Sequence, residues 1–219
     1  MKNFFITIIG GLLCTGFLLS AAEPVSGLAS EYDKVLLIEN FDDGNISTAP
    51  EWWKFDRLET TIAEAKDRRR GQTYLQLTGK AENYYVGGMG AYMGKSAAEY
   101  SALAMDIYGA GANSGTLRVQ LFDDDNGTYQ VEQDKNFKPT HDDQWEYEIV
   151  VDWEGWRTVE IPFSRFVDVN PGIGNDRWDT GATGGSGGLL HIQIIALSNT
   201  PTGRLNIGLD NLQLVKLTK

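Results

Sequence analysis

Short segments rich in β-branched and aromatic residues recur along this sequence, and they constrain the fold more than any other feature. Asp-Gly, Asn-Gly and Gly-rich stretches separate the segments, and these residues favour tight turns. Many short strands at this spacing predict an all-β fold, specifically an antiparallel β-sandwich. The single candidate helix spans Thr60–Arg70. The predicted strands are Val35–Ile38, Leu75–Thr78, Tyr84–Met89, Leu103–Tyr108, Leu117–Phe122, Trp145–Val151, Thr158–Ile161, His191–Leu197, Arg204–Ile207 and Leu209–Leu217.

Two of these strands place long polar side chains opposite their apolar residues. The earlier strand carries Arg118 and Gln120, and the later one carries His191 and Gln193, each in strict alternation with aliphatic residues. Successive side chains of a strand point to opposite sides, so each polar pair occupies one face. Such a face is either simply solvated or, with aromatic residues beside it, suited to the hydroxyl groups of sugars.

The first 22 residues have the pattern of a secretory signal peptide. Lys2 supplies a positive charge, Phe4–Leu19 is apolar, and Ser20-Ala21-Ala22 offers small residues before a cleavage site preceding Glu23. The alternative is an uncleaved membrane anchor, for which the apolar run is short. We therefore expect a secreted or periplasmic protein of a bacterium, without membrane insertion after cleavage. Residues 23–34 then form a short leader, and 35–217 form the β-sandwich domain.

Charge and cysteine content restrict the function further. The formal net charge is −11, which disfavours nucleic acid and anionic membranes and suits neutral ligands and divalent cations. Cys14, the only cysteine, lies in the signal segment, so the mature chain has no disulfide or thiol chemistry. His141 and His191 show no metalloprotease spacing, and no nucleophile-elbow or phosphate-loop motif occurs. These observations predict that the protein is not an enzyme.

Three motifs, in this order along the chain, resemble one group of binding modules. They are Asn40–Gly44, Gly155–Phe166 and Ile207–Leu214. Together they resemble the family 11 carbohydrate-binding modules and the related CIA30 domains, which are galactose-binding-like jelly rolls. The resemblance covers most of residues 35–217. It implies a secreted non-catalytic protein that binds a polysaccharide or oligosaccharide of glucan type on a concave sheet face.

The resemblance also makes local predictions about packing and metal binding. It implies a structural calcium ion near the first and last strands, with Asp42 and Asp210 at the matching positions, although Asp42 can equally be an ordinary turn residue. A second acidic loop, Asp123–Gly127, lacks the closing glutamate of an EF-hand and is predicted to be a solvated turn. Trp156 is expected to pack in the core. Pro162 is expected to end a strand, so that the phenylalanines after it turn inward.

The candidate carbohydrate contacts combine the polar strand faces with aromatic platforms. Leu197 stands where the resembled modules have a tyrosine, so another ring must replace it. Trp53 and Tyr84 are further candidates for that role. The predicted binding residues are Trp52, Tyr85, Arg118, Gln120, Trp178, His191 and Gln193.

The CIA30 likeness supports a second hypothesis. A structural or assembly protein would use the same sandwich to bind a protein partner. A sugar-binding protein needs exposed aromatic rings along a polar groove, whereas a partner-binding protein needs a broader apolar patch.

Overall fold

The computed structural model describes residues 32–48, 50–66 and 71–218. Within these ranges the chain forms β-strands and a single-turn 3-10 helix at Phe163–Arg165. The strands are β1 (Tyr32–Glu39), β2 (Trp52–Asp56), β3 (Glu59–Glu64), β4 (Thr73–Lys80), β5 (Tyr85–Lys95), β6 (Ala102–Ala110), β7 (Gly115–Asp123), β8 (Asp143–Val151), β9 (Glu154–Pro162), β10 (Val167–Asp168), β11 (Leu189–Leu197) and β12 (Arg204–Leu217).

The strands form two antiparallel sheets that pack face to face. Sheet A has the order β3-β4-β12-β6-β9, and β1 pairs with the second half of β12. Sheet B has the order β10-β8-β7-β11-β5-β2. The predicted fold class, an all-β antiparallel sandwich of the jelly-roll type, is therefore confirmed.

Alternating apolar residues from both sheets fill the space between them. On β7, Leu117, Val119 and Leu121 are completely buried, and on β11 Ile192 and Ile194 are buried in the same core. Sheet A contributes its own alternating residues, including Leu75, Leu77, Leu103, Met105, Ile107, Leu205, Ile207 and Leu209. The alternation predicted from the sequence thus separates the core side of each sheet from its outer side.

The turn that follows β9 closes one end of the sandwich. The chain leaves the sheet at Pro162, and the rings of Phe163 and Phe166 are each only 6% exposed within the core. This agrees with the expectation that both phenylalanines turn inward. The segment therefore anchors the loop end of the sandwich.

Two local predictions were wrong. The candidate helix at Thr60–Arg70 is a strand over Glu59–Glu64, because β3 pairs residue by residue with β4; residues 67–70 lie outside the described ranges. Trp156 is half-buried on the outer face of sheet A, where its ring lies 5.1 Å from that of Tyr74. Side chains alternate between the two faces of β9, and Ile161 on one face packs in the core. Trp156 therefore lies on the other face, outside the core.

The predicted signal peptide and most of the leader fall outside the described residues. The described chain begins in β1 at Tyr32, so the last three residues of the predicted leader already belong to a strand. Within the described ranges, no helix has the length and apolar character needed to cross a membrane.

Candidate functional site

The outer face of sheet B carries a row of side chains that crosses five strands. Trp53 on β2 is in register with Gly90 on β5, which is in register with Gln193 on β11. Gln193 pairs in turn with Gln120 on β7, and Gln120 with Glu146 on β8. Neighbouring strands lie about 4.8 Å apart, so this row extends over roughly 19 Å. We call it the sheet B row.

Hydrogen bonds hold the polar part of the sheet B row in place. The Gln193 side-chain amide donates to Oε1 of Gln120 over 2.8 Å, and the Gln120 amide donates to Oε2 of Glu146 over 2.8 Å. Nε of Arg118 donates to Oε2 of Glu148 over 2.9 Å and lies 3.7 Å from Oε1 of Glu146. The side chains are thus ordered before any ligand arrives, which reduces the entropic cost of binding.

Glycines of β5 form a floor on which aromatic rings of β2 rest. A Cβ atom built on Gly90 would lie only 2.6 Å from Cζ2 of Trp53, and one built on Gly88 would overlap the ring of Phe55. The absence of side chains at these two positions therefore allows both rings to lie over the sheet. Trp53 remains 36% exposed, so part of its ring is open to a ligand.

His191 joins the aromatic part of the face. Its ring centroid lies 5.1 Å from that of Trp53, 5.8 Å from Tyr92 and 5.9 Å from Phe122. Burial lowers the pKa of His191 to about 4, because the imidazolium would lose solvation among these rings. The imidazole is therefore neutral at neutral pH and offers one donor and one acceptor nitrogen.

A cavity of about 670 Å³ continues the face towards the start of β5. Tyr84, Tyr85, Arg118, Gln120 and Leu197 are among the residues that line it. The Tyr85 hydroxyl donates to Oδ2 of Asp56 over 2.5 Å, which fixes its ring, and Tyr84 is 48% exposed. Volumes of several hundred cubic ångströms are typical of small-molecule sites. The outer face of sheet B thus combines open rings with ordered polar groups.

The structure brings five of the seven predicted binding residues to this one face. They are Tyr85, Arg118, Gln120, His191 and Gln193. The two tryptophans among the predictions lie elsewhere. Trp52 is only 4% exposed and packs in the core, with its ring 6.4 Å from that of Phe41. Trp178 lies at the loop end of the sandwich, 4.7 Å from the ring of Phe163.

The predicted binding set contained Trp52 where the structure exposes Trp53, which was only a further candidate, and it left out Glu146. Trp53 and Trp52 are adjacent, so they point to opposite sides of β2, and the exposed one is Trp53. The spacing of Gly88 and Gly90 was a signal for this, since two glycines on one side of a strand leave room for rings. Glu146 also alternates visibly with the apolar side chains of β8.

Carboxylates form a separate group at the ends of β7 and β8. Oxygens of Asp123, Asp125 and Asp143 all lie within 4.8 Å of one another. Asp123 and Asp143 are completely buried. The Trp145 indole donates to Asp123 over 2.9 Å, and the backbone N–H of Asp179 donates to the same carboxylate over 3.1 Å. Oxygen ligands in such a cluster can hold a metal ion, and hard cations prefer them. We call it the carboxylate cluster.

The electrostatics of the carboxylate cluster are unfavourable without a cation. Burial, with the charge of Asp125 adding to it, raises the pKa of Asp123 to about 8. Burial and the neighbouring Asp143 raise the pKa of Asp125 to about 6. Asp143 belongs to a second acidic group with Asp168 and Asp176. A divalent cation would offset this repulsion.

The prediction of a solvated turn at Asp123–Gly127 was wrong for Asp123 and Asp124, whereas Asn126 and Gly127 are exposed. Asp123 is completely buried and Asp124 is 3% exposed. The reason is that both carboxylates accept hydrogen bonds from backbone N–H groups of the long loop before β11. Asp123 accepts from the N–H of Asp179 over 3.1 Å, and Asp124 accepts from the N–H of Gly187 over 2.5 Å. That loop folds over the start of the turn and therefore removes these two residues from solvent.

The two residues predicted to bind calcium lie outside the acidic groups found among the described residues. Asp42 is exposed, and its Oδ1 accepts the backbone N–H groups of Gln72 and Thr73 at 2.6 and 3.0 Å. Asp210 is completely buried, and its Oδ1 accepts from the N–H of Asn211 over 2.8 Å. Calcium at these two residues stays a prediction.

No protein-family model and no curated protein sequence matches this chain. Among solved structures, the fold is similar to a family 11 carbohydrate-binding module from Clostridium thermocellum in complex with a β-1,3-1,4-mixed-linked tetrasaccharide. The TM-score is 0.57 and the identity 16%, with 84% of this chain and 97% of that chain covered. The family 11 module of the cellulosomal cellulase Lic26A-Cel5E of Clostridium thermocellum gives a TM-score of 0.56 at 16% identity, with 85% of this chain and 96% of that chain covered.

An exo-β-agarase also contains a similar domain. Its TM-score is 0.54 at 11% identity, and the match covers 84% of this chain but only 25% of the agarase. The chain therefore has the jelly-roll fold of the family 11 modules, as the sequence motifs indicated. Identities this low establish the fold alone.

Proposed function

We propose that this protein is a non-catalytic carbohydrate-binding protein that holds a glucan-type polysaccharide across the outer face of sheet B. The observation that carries the proposal is the sheet B row, in which the open ring of Trp53 is aligned with the hydrogen-bonded groups of Gln193, Gln120 and Glu146. A ring that packs against sugar C–H groups and planar polar groups that bind hydroxyls are the two requirements of a saccharide site.

The charges along the row indicate a neutral polymer. Glu146 and Glu148 are both paired with Arg118, so the only cation of this group is already compensated. A uronic acid would meet two carboxylates and no unpaired positive charge there, which costs free energy. The length of the row allows several consecutive sugar units to be in contact at once.

The same ion pairs argue against hydrolysis. A glycosidase needs one protonated carboxylic acid beside one carboxylate. The two carboxylates nearest the row are instead both paired with one cation, because Nε of Arg118 lies 2.9 Å from Glu148 and 3.7 Å from Glu146. Glu146 also accepts a hydrogen bond from the side-chain amide of Gln120. We therefore expect binding without release of reducing sugar.

Titration calorimetry with soluble neutral glucans tests the proposed function, and Gln193→Ala is the decisive variant. Loss of its hydrogen bonds is expected to weaken binding several-fold, since one bond is worth about 0.5–1.5 kcal/mol. Gln213→Ala is the matched control, because Gln213 is half-buried on β12 of sheet A. If no neutral glycan on an array binds the protein, the proposal fails and the protein-partner hypothesis replaces it.

The carboxylate cluster is proposed to bind calcium as a structural ion. The proposal is supported by three carboxylates within 4.8 Å of one another, two of them completely buried, and by the preference of Ca²⁺ for oxygen ligands. An ion bound only to the folded state raises stability by mass action. An unchanged melting temperature on addition of chelator would contradict the proposal.

Export is proposed from the N-terminal sequence. The charged residue Lys2, the apolar stretch and Ser20-Ala21-Ala22 support removal of residues 1–22. N-terminal sequencing of the protein from its native source is expected to begin at or near Glu23. Recovery of Lys2 in that sequence would overturn the proposal.

A further inference from the structure

A second cavity, again of about 670 Å³, lies at the loop end of the sandwich. The chain between β5 and β6, the turn after β7 and the long loop before β11 line it. Its lining shares no residue with the cavity on the outer face of sheet B. A ligand there would therefore contact a separate set of side chains.

Trp178 is one of three aromatic residues that line this cavity, together with Tyr100 and Phe163. The Trp178 ring is half-buried: it lies 4.7 Å from Phe163, is stacked at 6.5 Å on Phe166, and meets Trp145 edge-on at 5.9 Å. These contacts fix the ring through the core, while its remaining surface lines the cavity. A fixed and partly open ring is a ready platform, since little side-chain entropy is lost on binding.

Hydrogen bonds also hold the walls of the cavity in position. The N–H of Ala97 donates to the carbonyl of Thr180 over 2.9 Å, which joins the wall after β5 to the long loop. The side-chain amide of Asn175 donates to Asp125 and, over 3.3 Å, to Oδ2 of Asp179. The cavity is therefore formed in the absence of ligand, as binding sites for small molecules usually are.

The chemistry of the lining selects a class of ligand. Carboxylates and hydroxyls line the cavity, among them Asp125, Asp179, Ser101 and Ser186, and no lysine, arginine or histidine is among its lining residues. Anionic ligands are disfavoured by this arrangement. Polyhydroxylated neutral ligands suit it, because carboxylates accept hydrogen bonds from hydroxyls and the ring packs against C–H groups.

We propose that this cavity is a second saccharide site, which holds a neutral sugar unit against Trp178. The inference extends the proposed function to another surface but depends on none of the residues of the sheet B row. Two sites on one chain would strengthen attachment to a polymer, because the second contact becomes intramolecular once the first has formed.

The test is chemical-shift mapping by NMR on the mature chain carrying Trp53→Ala and Gln193→Ala, which disable the sheet B row. The probes are soluble tetrasaccharides of β-1,4-glucose, β-1,3-glucose, mannose, xylose and galactose, with a tetrasaccharide of galacturonic acid as the anionic comparison. At least one neutral probe is expected to shift the indole N–H of Trp178 and the amide of Thr180. The anionic probe is expected to leave both unchanged.

Two variants show whether the shifts report this cavity. Trp178→Phe keeps an aromatic ring against Phe163 and is expected to weaken the remaining binding roughly tenfold. Asp179→Asn removes the charge of an exposed side chain but keeps an oxygen that can accept from Asn175, and it is expected to weaken this binding several-fold without altering the melting temperature. If both variants bind as tightly as their parent, the second site is refuted.

The outcomes separate this inference from the proposed function. If neutral probes bind the unmodified chain at the sheet B row and never shift the Trp178 signals, only the second site is overturned. If no probe shifts signals at either surface, both proposals are overturned.

Discussion

Substitution of Gly90 tests the platform role of Trp53 without removing the ring. A Cβ at position 90 would lie 2.6, 2.8 and 3.0 Å from Cζ2, Cε2 and Nε1 of Trp53. Ordinary contact between such atoms requires about 3.5–4.0 Å, so Gly90→Ala must displace the indole by about 1 Å. The displacement would also disturb the edge contact with His191, whose ring centroid is 5.1 Å away.

The expected effect is on affinity rather than on stability. Trp53 is 36% exposed on β2, the edge strand of sheet B, so its ring can move without opening the core. Gly→Ala lowers the conformational entropy of the unfolded chain, which stabilises the folded protein by about 0.4–1 kcal/mol. This gain opposes the cost of moving the ring. Removal of an aromatic anchor typically costs about 2 kcal/mol of binding free energy, so Trp53→Ala should weaken glucan binding roughly 30-fold. Gly90→Ala should give roughly a fivefold loss, since the displaced ring retains part of its contact.

A double-mutant cycle measured by calorimetry makes the argument decisive. If Gly90 acts only by supporting the ring, Gly90→Ala has no further effect in a Trp53→Ala background. Thermal melting of all four proteins controls for folding. Additive losses, or full affinity in Gly90→Ala alone, would refute the idea that the glycine floor positions the platform.

Three further predictions follow from the same geometry. Arg118→Ala should weaken glucan binding several-fold at unchanged melting temperature, and equal affinity of this variant and wild type would contradict the prediction. Val119→Asp should instead unfold the protein, because it places an unpaired charge in the core. Asp125→Asn should abolish the rise in melting temperature on addition of calcium, and a persisting rise would move the ion elsewhere. Burial places the pKa of His191 at about 4 in the folded protein, below the ordinary 6.5 of the unfolded chain. The contribution of neutral His191 to the free energy of unfolding is therefore complete above pH 6.5, and it falls by at most about 3 kcal/mol as the pH drops towards 4. Urea unfolding of His191→Phe beside wild type should therefore differ between pH 7 and pH 4.5, and parallel pH profiles would exclude the effect.

The sequence alone determined the sandwich and the polar side of its central strands. The period of two in Leu117–Phe122 and in His191–Leu197 is a local property of an extended chain, so it can be read from neighbouring residues. It placed Arg118, Gln120, His191 and Gln193 on one side of their strands. The pairing of β7 with β11 then put all four on the same face.

Only the tertiary structure distinguishes between alternatives that the local sequence pattern favours equally. Trp52 and Trp53 have the same propensities, and only the pairing of β2 with the glycines of β5 shows which ring is open. Residues 59–64 are a strand rather than a helix because β4 offers them a partner along their full length. Pairing between distant segments outweighs weak local preference.

The carboxylate cluster is the clearest example of a site that the local sequence pattern does not predict. Asp123 ends β7, Asp125 lies in the turn that follows, and Asp143 begins β8. The long loop that contains Asp179 closes over them. Their separation in sequence says nothing about the distance between their oxygens. Strand register and loop closure set that distance, and both depend on contacts made across the whole sandwich.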